Sequence, residues 1–369
     1  MEKINICFTS PSKNVYSETF IQNLKKSIDG NIFNCFGFFP VESEDGELKN
    51  PSSAPLIIKA LYKLGLIRIP LRELYLESYL KRKRIQLIIA NYGPSGAELS
   101  EISERLGISL IVHFHGYDAS VEKVIQNYIV GYHTMFKIAK AIVVVSSEMR
   151  QKVIRLGADE KKVVLLRCSP SKLFNDINPD YQSNQVLAIG RFVEKKAPYL
   201  TLLAFKKAQE ICPNLRIKFV GEGDLLSVCK DISESLKIDN VEFAGVLSPL
   251  SIAKEMAESF CFVQHSKTAA NGDKEGTPVA ILEAMAAGLP VISTYHAGIP
   301  DVITSDQNGI LVQEGDVDEM AQAIVNLYKD RDLAEYLGEN GKKYAMANLT
   351  KEQYNLQWNS LIRQIVLGV

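Results

Sequence analysis

The sequence predicts an α/β protein built as two doubly wound, Rossmann-like domains. Three observations carry that expectation: two series of short apolar strand-like runs, helical patterns between most of them, and a polar, proline-bearing stretch dividing the series. Strands that alternate with helices imply parallel sheets covered by those helices. At 369 residues the chain is too long for one ordinary core and suits two.

The first series of runs covers residues 3–8, 31–39, 85–90, 109–115, 141–145 and 163–166. The second covers 185–189, 216–220, 241–244, 260–264, 290–293 and 310–312. Between them, Cys168-Ser169-Pro170-Ser171-Lys172 through Asn178-Pro179-Asp180 has the composition of an interdomain linker. The expected division is therefore 1–171, 172–347 and a terminal helix over 348–369. Thr350 and Gln353 form a capping box at the start of that helix, and Tyr354, Trp358, Leu361, Ile362 and Ile365 make one apolar stripe along it. The stripe alone suits packing on either domain.

Composition narrows the class. With 46% hydrophobic and 23% charged residues the chain reads as a folded, non-membrane-spanning protein, and a net charge of −1 offers no steering toward nucleic acid. The six cysteines (7, 35, 168, 212, 229 and 261) are scattered without a C-x-x-C pair, as reduced core residues would be. The chain enters a strand at Ile4 without a basic n-region and long apolar h-region, so a signal peptide is not expected. No apolar run approaches the roughly 20 residues a spanning helix needs. A cytoplasmic location follows as the expectation. Residues 55–84 add a different signal, since Leu56, Ile57, Leu61, Leu64 and Leu66 are interleaved with Lys59, Lys63 and Arg68 before Lys81-Arg82-Lys83-Arg84. Such a basic amphipathic segment suits either a core helix with solvated lysines or a peripheral contact with anionic lipid headgroups.

The most informative stretch is Lys274-Glu275-Gly276-Thr277-Pro278-Val279, continuing through Glu283 to Gly288. Thr277 suits an N-cap, Pro278 the first helical position and Gly288 a left-handed C-cap, which predicts a helix of about ten residues from Pro278. Apolar runs on both sides make this a strand, loop, helix, strand unit, so the loop lies at the carboxyl edge of a parallel sheet. Ligands bind at that edge, and a helix N-terminus there offers free N–H groups to phosphate. Carboxylates would repel phosphate but suit sugar hydroxyls, which donate to charged acceptors. Read alone, Glu275 and Glu283 fit either that task or an ordinary helix-terminus and surface role.

This stretch resembles the E-x7-E signature of family 4 glycosyltransferases, retaining enzymes of the GT-B fold, in the E-G-T-P-V version of bacterial polysaccharide-assembly members. The resemblance extends to Gly190-Arg191 with Lys196, similar to the family's G-R-x-x-x-x-K element, and to His115-Gly116-Tyr117-Asp118, similar to its H-G-x-D element. It implies two doubly wound domains facing an interdomain cleft, with the terminal helix crossing back to the first. Arg191 and Lys196 would grip the donor diphosphate and offset the charge of the leaving group. Glu275 would touch the donor sugar and Glu283 the ribose, with Gly190, Gly276, Thr277, Pro278 and Val279 lining the donor site. His115 would orient the donor sugar and Asp118 lie close to the acceptor, while His113 keeps a core role. Gly221 and Gly223, in Phe219-Val220-Gly221-Glu222-Gly223-Asp224, resemble the family's glycine loop near the nucleotide base, although a tight turn accounts for them equally.

Two departures stand out. Residues 9–20 lack the paired glycines common after the first strand, and Cys168-Ser169-Pro170-Ser171 replaces the usual G-x-D. Two D-x-D shapes, Asp316-Val317-Asp318 and Asp330-Arg331-Asp332, read as helix N-caps and not as metal ligands, so neither metal nor cofactor is expected. The expected activity is transfer of a sugar from a nucleotide sugar to a glycan or lipid-linked acceptor, with configuration retained. The alternatives are a GT-B nucleotide-sugar epimerase and a non-catalytic sugar-nucleotide-binding subunit.

Overall fold

The computed structural model describes residues 3–13, 19–49, 56–66 and 69–368. The chain forms two compact units, one comprising Met1–Val145, Met149–Leu166 and Asn355–Val369, the other Ser146–Glu148 and Arg167–Tyr354. The division at Leu166 precedes the expected one by five residues.

In the first unit the strands are β1 (Asn5–Ser10), β2 (Asn31–Phe36), β3 (Glu42–Ser43), β4 (Leu87–Asn91), β5 (Ser109–His113), β6 (Ala141–Val144) and β7 (Val163–Leu165). Their order among the described residues is β3-β2-β1-β4-β5-β6-β7, parallel except for β3. The expected run over 31–39 ends early because Gly37 turns the chain at φ +107° and sends it back as β3, an edge strand that the apolar pattern did not announce. Helices α1 (Thr19–Ser27), α2 (Leu56–Lys63), α3 (Leu71–Arg82), α4 (Gly93–Leu106), α5 (Tyr117–Ser120), α6 (Glu122–Ile138) and α7 (Ser147–Arg155) accompany these strands. β4 is buried along its whole length, as a central parallel strand covered on both faces must be.

The second unit holds β8 (Gln185–Ile189), β9 (Arg216–Val220), β10 (Val241–Phe243), β11 (Cys261–Val263), β12 (Val291–Thr294) and β13 (Ile310–Val312). They are parallel in the order β10-β9-β8-β11-β12-β13. The order reverses between β8 and β11, which is where an open α/β sheet leaves a crevice at its carboxyl edge. Helices α8 (Pro198–Ile211), α9 (Leu226–Ser235), α10 (Pro249–Ala257), α11 (Val279–Ala287), α12 (Val317–Lys329) and α13 (Arg331–Asn348) follow the strands, and Leu202, Phe205, Ile217, Val263, Ile292 and Ile324 join one apolar core.

The last helix, α14 (Lys351–Leu367), starts with the reciprocal bonds of a capping box: Gln353 N–H donates to Thr350 Oγ1 at 3.2 Å, and Thr350 N–H to Gln353 Oε1 at 3.3 Å. From Asn355 onward it belongs to the first unit. Trp358 is fully buried, its ring edge-on to His113 at 5.1 Å, and Asn359 Nδ2 donates to Ser27 C=O at 2.9 Å. All six cysteines are buried thiols.

Residues 55–84 do not form one amphipathic helix. Pro55, Ile67 and Arg68 lie outside the described residues, and the rest divides into α2, a turn and α3. The basic side chains at the end of α3 are engaged: Lys83 pairs with Asp45 at 2.9 Å and with Glu47 at 2.5 Å, Arg82 with Glu47 and Lys81 with Glu77. The apolar side chains of α2 and its following turn are the accessible part, with Leu56 85%, Leu64 73% and Leu66 71% exposed.

Candidate active site

Each unit brings its candidate residues to the carboxyl edge of its sheet. In the second unit the loop after β8 carries Gly190, Arg191 and Lys196. Arg191 is exposed, whereas the stem of Lys196 folds back across Gly190, where a Cβ would stand 2.8 Å from Lys196 Cδ. The neighbouring loop after β9 needs its glycines for the same closeness: Gly221 has φ +133°, and a Cβ there would lie 2.1 Å from Gly190 O. A small pocket opens over these loops, lined by Gly190, Arg191, Lys196, Thr201, Val263 and Gln264 among others.

Lys196 Nζ sits 3.3 Å from Glu275 Oε1 and donates to Gln264 Oε1 at 3.4 Å. Burial pushes the Glu275 carboxyl up, but the cations of Lys196 and then Lys195 outweigh it and bring the group to about 2. Burial wins at Lys196, which lies below the ordinary lysine range despite the attraction of Glu275, because Lys195 and Arg191 add repulsion. Glu275 is therefore ionised at neutral pH. The contact is nevertheless off the hydrogen-bonding direction, so Glu275 Oε1 is buried without a hydrogen-bond partner. A buried carboxylate oxygen in that state is an acceptor waiting for a donor.

Lys195 ties the same loop to the β8 edge, with Nζ 3.1 Å from Asp273 Oδ1 and 3.2 Å from the Lys274 carbonyl. Helix α11 begins at Val279, one residue later than expected, because Pro278 keeps an extended ψ of 120° and takes the N-cap position. Its C=O accepts from Ile281 N–H, while Gly288 closes the helix at φ +88°. Thr277 is buried and Gly276 C=O accepts from Gly298 N–H at 2.9 Å. The amides at the start of α11 lack helical acceptors by position and are suited to an anion. Glu283, two turns of sequence from Glu275, sits on α11 and is lifted by burial to about 7. The expected caps are present as well: Asp316 accepts from Glu319 N–H at 2.8 Å and Asp330 from Leu333 N–H at 2.9 Å.

In the first unit β5 stops at His113, which puts His115 in the loop beyond it. The rings still pack, at 3.9 Å between centroids, and Phe20 and Tyr92 flank His115 at 4.7 Å each. Burial, followed by the neighbouring His113, holds His115 well below the ordinary range, so its imidazole is neutral. Its tautomer follows from Asn91. Asn91 Nδ2 donates to Thr9 C=O at 2.8 Å, leaving Oδ1 as acceptor for His115 Nε2–H at 3.0 Å. His115 Nδ1 is therefore an acceptor. His113 is buried and lowered to about 3, in keeping with a core role.

Asp118, expected close to the acceptor, is fully buried, and its carboxylate accepts from the N–H groups of Gly93 at 2.9 Å, Gly116 at 2.9 Å and His115 at 3.1 Å. Burial lifts it to about 6 while those amides pull it down. Its task is to hold the His115 loop against the start of α4. Sequence reasoning also passed over Asn91 and Lys195, and only the second had a signal, its place beside Lys196.

Comparison with known proteins follows the division of the chain into two parts. Residues 171–344 match the model for glycosyl transferases group 1, and residues 58–168 match that for a glycosyl transferase 4-like domain. Among curated relatives, the putative colanic acid biosynthesis glycosyltransferase WcaL of Escherichia coli is 28% identical over 65% of this chain and 61% of its own length. The amylovoran biosynthesis glycosyltransferase AmsK of Erwinia amylovora is 30% identical over 65% of this chain, and again only 61% of that protein is spanned. Among solved structures, Anabaena Alr3699/HepE in complex with UDP superimposes with a TM-score of 0.77 at 15% identity, covering 98% of this chain and all of that one. Sucrose-phosphate synthase from Thermosynechococcus elongatus gives 0.75 at 19% identity over the full length of both. These likenesses establish the two-domain GT-B fold. The chain belongs to the glycosyltransferase family described by the two matching models, a glycosyl transferase 4-like domain followed by a glycosyl transferases group 1 domain.

Proposed function

We propose that this protein is a retaining glycosyltransferase that moves a sugar from a nucleotide sugar to a glycan or lipid-linked acceptor in surface polysaccharide assembly. The observation that carries the reading is Glu275, an ionised, buried carboxylate beside Lys196 with one oxygen lacking a hydrogen-bond donor. A sugar hydroxyl supplies that donor. Arg191 and Lys196 would hold the diphosphate, the start of α11 would face it, and Glu283 would accept from the ribose. In transfer, the bond between the sugar's anomeric carbon and the diphosphate oxygen breaks as the acceptor oxygen bonds on the same face. The acceptor's proton passes to the departing diphosphate, whose growing charge the two cations offset. His115, neutral with Nδ1 open as acceptor, is the proposed partner of a hydroxyl on the reacting sugar. No metal is assigned a role. The names of the Escherichia and Erwinia relatives support polysaccharide assembly, and the UDP held by the Anabaena neighbour supports a nucleoside diphosphate donor.

Two glutamate variants test the division of roles. Glu275→Gln is expected to bind nucleoside diphosphate nearly as wild type while transferring sugar poorly, and Glu283→Gln to weaken nucleotide and nucleotide sugar together. Loss of nucleotide binding in Glu275→Gln, or normal transfer by it, refutes the assignment. The reading includes a membrane contact through α2 and the turn after it, where exposed Leu56, Ile57, Leu64 and Leu66 accompany Lys59 and Lys63. Vesicles of phosphatidylglycerol should sediment with the protein and those of phosphatidylcholine should not; Leu64→Ser with Leu66→Ser should abolish the difference. No helix among the described residues is long and apolar enough to cross a membrane.

A further inference from the structure

Glu275 and Gly276 precede α11 in an irregular stretch that no sheet ladder holds, so its position depends on the contacts made to it. Two come from the turn after β12. Gly298 N–H donates to Gly276 C=O at 2.9 Å, and Glu275 N–H donates to His296 Nε2 at 3.2 Å. A backbone N–H only donates, so Nε2 must carry the lone pair and the imidazole proton must sit on Nδ1. There it meets Glu314 Oε1 at 2.5 Å, while Oε2 of the same carboxylate accepts from Thr268 N–H at 3.0 Å. Donor and acceptor roles are thus forced along the line from Glu314 through His296 to Glu275.

The turn that supplies His296 is itself tightly set. His296 is 1% exposed, Ala297 takes φ +48°, and a Cβ on Gly298 would lie 2.3 Å from Gly276 O. A non-glycine residue at positive φ persists where its surroundings over-determine it. The ion pair with Lys196 attracts the Glu275 carboxylate but, lacking hydrogen-bond geometry, does not aim it. Aim has to come from the backbone.

We propose that His296 is a positioning residue for sugar transfer: backed by Glu314, it fixes the Glu275 peptide and thereby holds the Glu275 carboxylate at the reacting sugar without touching substrate. The proposal rests on the role given to Glu275 above. Arg191 and Glu283 reach the nucleotide from β8's loop and from α11, so loss of the brace should spare nucleotide affinity.

A pair of isosteres separates bracing from bulk. Glutamine places its amide oxygen where Nε2 lies, whereas asparagine reaches only the Nδ1 position. With UDP and UDP-glucose as probes, or GDP and GDP-mannose if wild type prefers them, His296→Asn should lower kcat by about 100-fold, the scale of a misplaced reacting group. His296→Gln should stay within about 5-fold of wild type, and both should keep nucleoside diphosphate Kd within about 2-fold, because the lost interaction acts on the transfer step. Glu314→Ala, at a partly exposed position, frees the imidazole to turn and should cost about 10-fold in kcat, as loss of an orienting partner does. Hydrogen exchange on the unliganded protein gives an activity-independent reading: the Glu275 amide should exchange faster in His296→Asn and at the wild-type rate in His296→Gln. Equal loss in the two isosteres, loss in neither, or unchanged Glu275 exchange in His296→Asn overturns the proposal. Glu275→Gln serves as the control: normal transfer by it removes the role of Glu275, whereas an inactive Glu275→Gln beside a fully active His296→Asn removes the role of His296 alone.

Discussion

Glu283 is the carboxyl of the candidate site that changes charge near neutral pH. Burial lifts it from an ordinary 4.5 to about 7, so below neutrality the unliganded protein carries it mostly protonated. Ribose hydroxyls donate more strongly to the carboxylate, so nucleotide binding selects the ionised form and affinity should fall as pH drops through 7. If only that form binds, about nine molecules in ten are incompetent at pH 6 and about one in ten at pH 8, which makes Kd about 10-fold weaker at pH 6, or about 1.4 kcal/mol. Calorimetric titration should use UDP-glucose, because the terminal phosphate of free UDP itself titrates near pH 6, on the order of a phosphate's second ionisation. Glu283→Gln should bind more weakly than wild type at pH 8 and show no slope between pH 6 and 8. A flat wild-type profile, or a slope that survives in Glu283→Gln, refutes the assignment. The same shift has a stability consequence whose sign is opposite to that of a salt-bridged carboxylate. The folded state keeps the proton up to about 7 and the unfolded state loses it near 4.5, so stability falls as pH rises through that window. Unliganded Glu283→Gln should therefore be more stable than wild type at pH 8, by about 2 kcal/mol after allowing for partial exposure, and no more stable at pH 4.

Three further outcomes follow from the same geometry. Arg191→Ala and Lys196→Ala should each lower turnover by orders of magnitude with an unchanged circular dichroism spectrum, since a charge-assisted contact to diphosphate contributes roughly 1.5 to 3 kcal/mol and more where it strengthens in the transition state; wild-type rates in both would count against the diphosphate grip. Gly221→Ala forces a Cβ to within 2.1 Å of Gly190 O at φ +133°, so urea denaturation should report a loss of about 1–3 kcal/mol together with weakened nucleotide binding, and a neutral result would mean the two loops are not tightly apposed. Activity should survive EDTA, and Asp316→Ala or Asp330→Ala should cost about 1 kcal/mol of stability, as lost N-caps do; activity abolished by chelation and restored by manganese would overturn the metal-free transfer step.

Much of the architecture was legible in the sequence because its signals are local. A buried parallel strand needs a short apolar run and a helix needs a start and a stop, and both are written in consecutive residues. The runs at 185–189, 216–220 and 310–312 coincide with β8, β9 and β13, and Gly288 ends α11 as its αL conformation requires. Glu275, Lys196, Arg191 and Glu283 could be singled out for a related reason, since each belongs to a compact motif around one strand end. The tertiary structure decided what those motifs could not. Asp118 turned inward because amides of Gly93 and Gly116 converge on it, and Lys83 of the basic cluster is occupied by Glu47 and Asp45, 36 and 38 positions earlier. His296 had no sequence signal at all: its partners are Glu275, 21 positions earlier, and Glu314, 18 later, each at the end of a different strand connection. Periodicity records how a backbone repeats along itself, whereas the charge and hydrogen-bond state of a side chain depends on which groups packing brings within about 3–4 Å, and that proximity exists only once the sheets have assembled.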